Sequence, residues 1–199
     1  MENENRKTAY KLFAKLFYYP DNDLAELLQT GVITDFISSL RLKSADNFNN
    51  WLETYDTKEN LLEDLQVEYT QLFITNFPAV PAPICKSVYE ERELIGKSTE
   101  EIIDFYNAHN FAVSDEMTEP ADHIAIELEF IYRLIEDNAP IEDQINFIKN
   151  YILTWIDKFA KNINDNSSLM FYSFLIEIII DYLNIDILQH DTKLTGAEK

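Results

Sequence analysis

The stretch NFPAVPAPICKSVY, Asn76 to Tyr89, decides how this chain is organised, because it carries three of the six prolines, Pro78, Pro81 and Pro83, within six residues. Proline lacks an N–H, fixes its own φ and pushes the preceding residue out of the helical region, so the segment is extended or turned. The sequence on either side has helical periodicity. Phe77, Val80, Ile84, Val88 and Tyr89 make the stretch too apolar for a flexible linker. The expectation is an ordered crossing packed against a helical half on each side. Connections of this kind, held by rigid helices, are where binding residues concentrate.

Working outward, 199 residues suffice for one domain with a real core, and 46% hydrophobic residues argue for folding rather than disorder. Three glycines leave little material for hairpin turns, phosphate-cradling loops or a doubly wound sheet. The predicted fold is all-α, a bundle of about ten helices. Its two halves, residues 1–75 and 98–199, are joined by the Pro-rich crossing, residues 76–97, in a single compact domain.

The charge is −20 and unevenly spread: residues 1–75 carry seven basic and thirteen acidic side chains, residues 76–199 nine and twenty-three. Between Glu100 and Asp143 there are thirteen acids and one base, Arg133. A phosphate backbone needs a basic footprint, so nucleic acid is excluded as a partner. A basic partner is attracted and steered by such a surface. The lone Cys85 permits no internal disulfide and no Cys-rich metal site. The N-terminal residues show no apolar signal region, and Leu169–Leu188 is interrupted by Glu177, Asp181 and Asp186. A cytoplasmic protein with no membrane insertion is therefore expected.

Helices are predicted over Asn5–Tyr19, after Asp21 as far as Gly31, over Val32–Leu40, around Trp51 and over Thr57–Ile74, with a polar loop at Lys43–Asn49. In the longest of these, Leu61, Leu65, Glu68 and Leu72 adjoin a second stripe of Leu62, Tyr69 and Phe73. Beyond the crossing, Ser98 with Glu101 reads as a capping box opening a helix to His109. Asn110–Thr118 reads as a polar loop. A helix from Glu119 to Asn138 has Pro120 and Asp122 in its first turn. Two more helices follow, Ile141–Ile163 and Leu169–Leu188, with a frayed tail from Gln189.

On a helical wheel of that Glu119–Asn138 segment, Asp122, Glu129, Arg133 and Glu136 gather on the solvent side. His123 and Glu127 fall inside the apolar arc and need partners: each other, backbone at the proline crossing, or a ligand. Glu119, His123 and Glu127 form a stripe, but their Glu-x-x-x-His spacing departs from the Glu-x-x-His of di-iron bundles, and no metal is expected. No nucleophile elbow or Walker loop is present, and the chain is not expected to be an enzyme.

Two motifs carry a resemblance. Glu68-Tyr69-Thr70-Gln71-Leu72-Phe73, followed by the proline-rich crossing ending Lys86-Ser87-Val88-Tyr89, resembles the central motif of the TorD/DmsD/NarJ chaperones. Glu119-Pro120-Ala121-Asp122-His123-Ile124 resembles that family's second signature. Order and separation agree, and one departure is plain: Asn76-Phe77-Pro78 stands where many members have Gly-Pro-Gly. The resemblance implies a cytoplasmic, cofactor-free chaperone. Such a chaperone binds the twin-arginine signal peptide, or another terminal segment, of the apo form of a molybdenum-containing oxidoreductase until its cofactor is inserted. It implies a peptide-binding region of Tyr69, Leu72, Phe73, Pro83, Ser87, Tyr89, Asp122 and His123, with Glu68, Glu119 and Glu127 in support. Asp122 is the expected acceptor for an arginine fork. The protomer is a monomer or a domain-swapped dimer. The competing readings are a constitutive helical adaptor without leader specificity and a nucleotide-binding hydrolase.

Overall fold

The computed structural model describes residues 3–55, 57–75, 79–111 and 119–196, with side chains described through residue 190. Asn76-Phe77-Pro78, and all of the predicted 110–118 loop beyond Phe111, lie outside the described residues. Eleven α-helices and two π-helical turns make up the described structure; it has no strand and one isolated antiparallel bridge. In chain order the helices are α1 (Asn3–Leu16), α2 (Asn22–Gln29), α3 (Val32–Ser39), α4 (Ala45–Leu52), α5 (Lys58–Tyr69) and α6 (Lys86–Glu90). Then come α7 (Lys97–Ala108), α8 (Ile124–Glu136), α9 (Ile141–Phe147), α10 (Ile156–Asn166) and α11 (Phe171–Gly196). The π turns, Thr70–Ile74 and Ile148–Ile152, follow α5 and α9.

The chain divides into two compact units. A terminal unit holds residues 1–18, 84–158 and 185–199, and an inserted unit holds residues 19–83 and 159–184. The division runs between Pro83 and Ile84, within the proline segment. It does not follow chain order, since α1 belongs with residues 84–158.

In the terminal unit α1 packs along α8. Tyr10, Phe13, Phe17, Tyr106, Phe130 and Phe147 are fully buried. Arg6 anchors the end of α11: its guanidinium donates to both Asp186 oxygens at 2.7 and 2.9 Å and to Gln144 Oε1 at 2.9 Å, and Tyr10 Oη donates to Asp186 at 2.8 Å. This clamp is why the predicted fraying at Gln189 does not occur. His190 is buried, its Nδ1 2.8 Å from the Asp186 carbonyl, and the helix continues to Gly196.

The helix predicted over Ile141–Ile163 is broken instead. After α9 the π turn moves the backbone to i→i−5 bonding, Leu153 N–H to Ile148 O at 2.9 Å, and α10 restarts at Ile156. At α7 the capping differs from the expected Ser98 box. Thr99 Oγ1 accepts the Gly96 N–H at 3.2 Å, and the Ser98 N–H goes to Glu91 Oε1 at 2.9 Å.

In the inserted unit Asp21 caps α2 by accepting the Leu24 N–H at 2.7 Å, and Thr57 caps α5 through Asn60 at 3.3 Å. The predicted loop at Lys43–Asn49 is largely helix. Ala45, Phe48 and Leu52 recur at i, i+3 and i+7 and are buried, which draws the polar residues between them into α4. No helix among the described residues is long and apolar enough to cross a membrane.

Candidate functional site

The second motif does not begin a helix at Glu119. Pro120-Ala121-Asp122 is a turn closed by the His123 N–H on Pro120 O at 3.0 Å, and α8 starts at Ile124. His123 is the N-cap, its Nδ1 accepting the Ala125 N–H at 3.1 Å. The main chain here bonds to the end of the proline segment, with Lys86 N–H on Asp122 O and Ile124 N–H on Ile84 O, both 3.1 Å. These two bonds make the Cys85–His123 bridge.

Asp122 is therefore not on the solvent side of a helix, as the wheel suggested, but fully buried. Its Oδ2 accepts the Ser87 N–H at 2.7 Å, across 35 residues of sequence. That amide lies in the first turn of α6, where a carboxylate satisfies an orphan donor and complements the helix dipole.

The imidazole of His123 is buried, which holds its pKa down at about 3, so it is neutral at physiological pH. Tyr18 stacks on it, centroids 6.2 Å apart, and donates its hydroxyl to Glu129 at 2.8 Å. Glu119 Oε2 lies 3.8 Å from Nε2, a contact with a neutral ring. Glu127 finds its donor in the Trp155 indole N–H at 3.2 Å. Burial pushes the Glu127 carboxyl well above the usual carboxylate range, the Lys86 charge opposing this more weakly. Lys86 Nζ lies 4.8 Å above the Tyr151 ring and 3.7 Å from Glu90. Half-buried Tyr89 packs on Trp155 at 5.3 Å. Burial raises the Cys85 thiol, which suits a structural rather than a nucleophilic cysteine. Ser87 Oγ, Asp122 Oδ1 and Glu127 Oε1 are buried without a hydrogen-bond partner among the described residues.

The first motif lies in the inserted unit. Glu68 Oε1 accepts the Ser167 hydroxyl at 2.7 Å and the Leu169 N–H at 2.8 Å, and burial raises its pKa. Tyr69 and Phe73 meet edge to face at 5.0 Å, and Phe73 meets Tyr172 in the same way at 4.9 Å. The π turn places Leu72 O to accept the Ala82 N–H at 3.0 Å. Tyr69, Leu72 and Phe73 are only 5%, 2% and 6% exposed, whereas Pro83 is half-buried.

Of the sequence-predicted residues, Ser87, Tyr89, Glu119, Asp122, His123 and Glu127 belong to the terminal unit. Glu68, Tyr69, Leu72, Phe73 and Pro83 belong to the inserted one. Reading the sequence missed Tyr18, Cys85, Lys86 and Trp155. Trp155 had one available signal, because a carboxylate on an apolar face needs a donor and the chain has two indoles.

Known proteins define the class. The chain is 25% identical over 217 residues to the chaperone protein TorD of Colwellia psychrerythraea, covering 93% of this chain and 91% of that one. It is 26% identical to the TorD of Vibrio atlanticus, covering 92% and 94%. Among solved structures it resembles an Archaeoglobus fulgidus protein assigned as a redox enzyme maturation protein, with a TM-score of 0.61 and 28% identity over 88% of this chain and 92% of that one. Residues 37–161, more than half of the chain, match the nitrate reductase delta subunit family, and the chain belongs to that family, the NarJ/TorD group. It is a family of maturation chaperones, not of enzymes.

Proposed function

We propose that this chaperone binds the twin-arginine signal peptide, or another terminal segment, of a molybdenum-containing oxidoreductase in the cytoplasm and retains it until the cofactor is in place. The observation that carries the reading is the Asp122–Ser87 bond, which makes one object of the proline crossing's end and the Asp-His turn. Around that object the half-buried Ile84, Val88 and Tyr89 offer apolar surface, and Glu90 and Glu119 offer carboxylates. A leader with a basic head and an apolar stretch is complementary to both.

In this reading Asp122 is a positioning residue rather than the arginine acceptor, because its carboxylate is buried and committed to Ser87. His123 and Ser87 support the same turn, while Tyr89 and Glu119 touch the peptide. Tyr69, Leu72 and Phe73 fix the π turn of the inserted unit from which the chain runs to Pro83.

The test is calorimetry with synthetic Arg-Arg leaders of molybdoenzymes encoded beside this gene. Binding is expected, weakening as salt rises. Tyr89→Ala is expected to reduce it without altering the circular dichroism spectrum. No heat with any such leader, or equal binding of scrambled sequences, refutes leader recognition and returns the chain to a constitutive adaptor.

A further inference from the structure

The turn between α6 and α7, residues 91–96 of the terminal unit, holds Leu94 and Ile95 in solvent at 62% and 65% exposure. A single exposed leucine is ordinary, but two adjacent apolar side chains this far out form the nucleus of a contact surface. The backbone beneath them is strained. Arg92 and Ile95 both have left-handed φ, 62° and 63°, and a β-branched side chain is rarely tolerated there.

The strain persists because both ends of the turn are tied down. The Glu91 N–H donates to Ser87 O at 2.8 Å, and the Glu91 carboxylate accepts the Ser98 N–H at 2.9 Å and the Ser98 hydroxyl at 3.2 Å. Gly96 makes room for that carboxylate, since a Cβ at this position would overlap Glu91 Oε2. Leu94 and Ile95 are thus held outward on a fixed turn directly after α6, the helix that carries Tyr89. A pre-formed apolar tip binds without the ordering cost of a loose loop.

Charge decides what meets this tip. Residues 90–104 carry six carboxylates against Arg92 and Lys97, and Lys97 is paired with Glu101 at 3.1 Å. A second copy of a chain of charge −20, or an anionic lipid surface, is repelled by this segment, whereas an apolar segment with basic residues beside it is attracted. We infer that Leu94 and Ile95 dock the apolar stretch of the oxidoreductase leader, with the flanking carboxylates facing its basic head. The inference rests on the proposed function and names a contact within it.

The experiment is calorimetry on the full chain with a synthetic Arg-Arg leader, and with the same leader after its apolar stretch is replaced by serine and glycine. The double variant Leu94→Ser/Ile95→Asn removes the apolar tip, and asparagine accepts a left-handed φ more readily than isoleucine. Its melting temperature is therefore expected to match or exceed that of the wild type, while its affinity for the leader falls about tenfold or more. The serine–glycine leader is expected to bind both proteins equally weakly. Val32→Ser, which removes an exposed apolar side chain from the inserted unit, is expected to leave leader affinity unchanged. Unchanged affinity in the double variant, the same loss with both leaders, or an equal loss in Val32→Ser overturns the docking tip and leaves the proposed function standing. A melting temperature that falls together with affinity makes the tip structural and overturns it as well. A wild-type dimer in sedimentation that the double variant dissolves assigns the tip to a second copy instead. A wild type that binds no leader overturns both readings.

Discussion

Replacing Asp122 by alanine tests whether one carboxylate joins the end of the proline crossing to the Asp-His turn. In the wild type Oδ2 accepts the Ser87 N–H at 2.7 Å in a fully buried setting. The substitution strands that amide at the start of the five-residue helix α6. A hydrogen bond to a charged group contributes about 1.5–3 kcal/mol net, and a buried donor without an acceptor costs about as much. Counting the bond once gives roughly 2 kcal/mol, which is about thirtyfold in an opening equilibrium. Because the terminal unit keeps its α1–α8 core, the loss should be local rather than global. Hydrogen exchange is the assay: the Ser87 amide and the rest of α6 should exchange about thirtyfold faster, with mid-α8 amides such as Phe130 unchanged. Asp122→Asn keeps an acceptor oxygen and should recover most of the protection. Leader affinity should follow the same order, since Tyr89 is carried on α6. An unchanged Ser87 rate in the alanine variant, or uniform acceleration across the unit, would show that the bond does not hold the seam.

Two other perturbations follow from buried charge. His123 is held at about 3 and Glu127 well above the usual carboxylate range, both by burial, and they act on stability with opposite signs. Between roughly pH 4.5 and 6.5 the unfolded histidine binds a proton that the folded one refuses, so stability rises with pH. Over the same range the folded Glu127 keeps a proton that the unfolded one has lost, so stability falls with pH. The two slopes oppose one another in the wild type, and Glu127→Gln should tilt the profile toward the histidine slope, by up to about 1.4 kcal/mol lost per pH unit on acidification. His123→Gln should expose the reverse; melting temperatures across that window decide it, and parallel profiles for the three proteins would refute the assignment. At the α11 clamp, Asp186→Ala removes the carboxylate to which the Arg6 guanidinium and the Tyr10 hydroxyl donate, leaving Gln144 Oε1 on Arg6, at a cost of about 3–5 kcal/mol, or roughly 10 °C in melting temperature. Arg6→Met/Asp186→Leu should lose far less, because no stranded charge remains; a double variant no more stable than the single one would count against that account.

The helical class was legible because prolines and capping residues act locally. Asp21, Thr57 and the triple-proline stretch impose their effects within a few residues, and the structure has helix boundaries beside each of them. Asp122 was misplaced for the opposite reason. A proline four residues before a periodic apolar run reads equally well as the first turn of a helix or as a turn ahead of it. The choice is made by Ile84 O and Lys86 N–H, hydrogen-bonding groups 40 and 36 residues before their partners Ile124 and Asp122, which no local pattern reveals. Arg6 and Asp186 lie 180 residues apart, and nothing local to either shows the meeting that makes both core.

The residues most recognisable as motif, Leu72, Phe73, Ser87, Asp122 and His123, are among the most buried in the molecule. Burial makes a residue hard to replace and therefore distinctive, but it also removes that residue from contact with a partner. A signature of this kind specifies how the seam is built. Discrimination among leaders should then reside in less distinctive exposed or half-exposed positions such as Tyr89 and Glu119, where a changed side chain alters the partner without altering the fold.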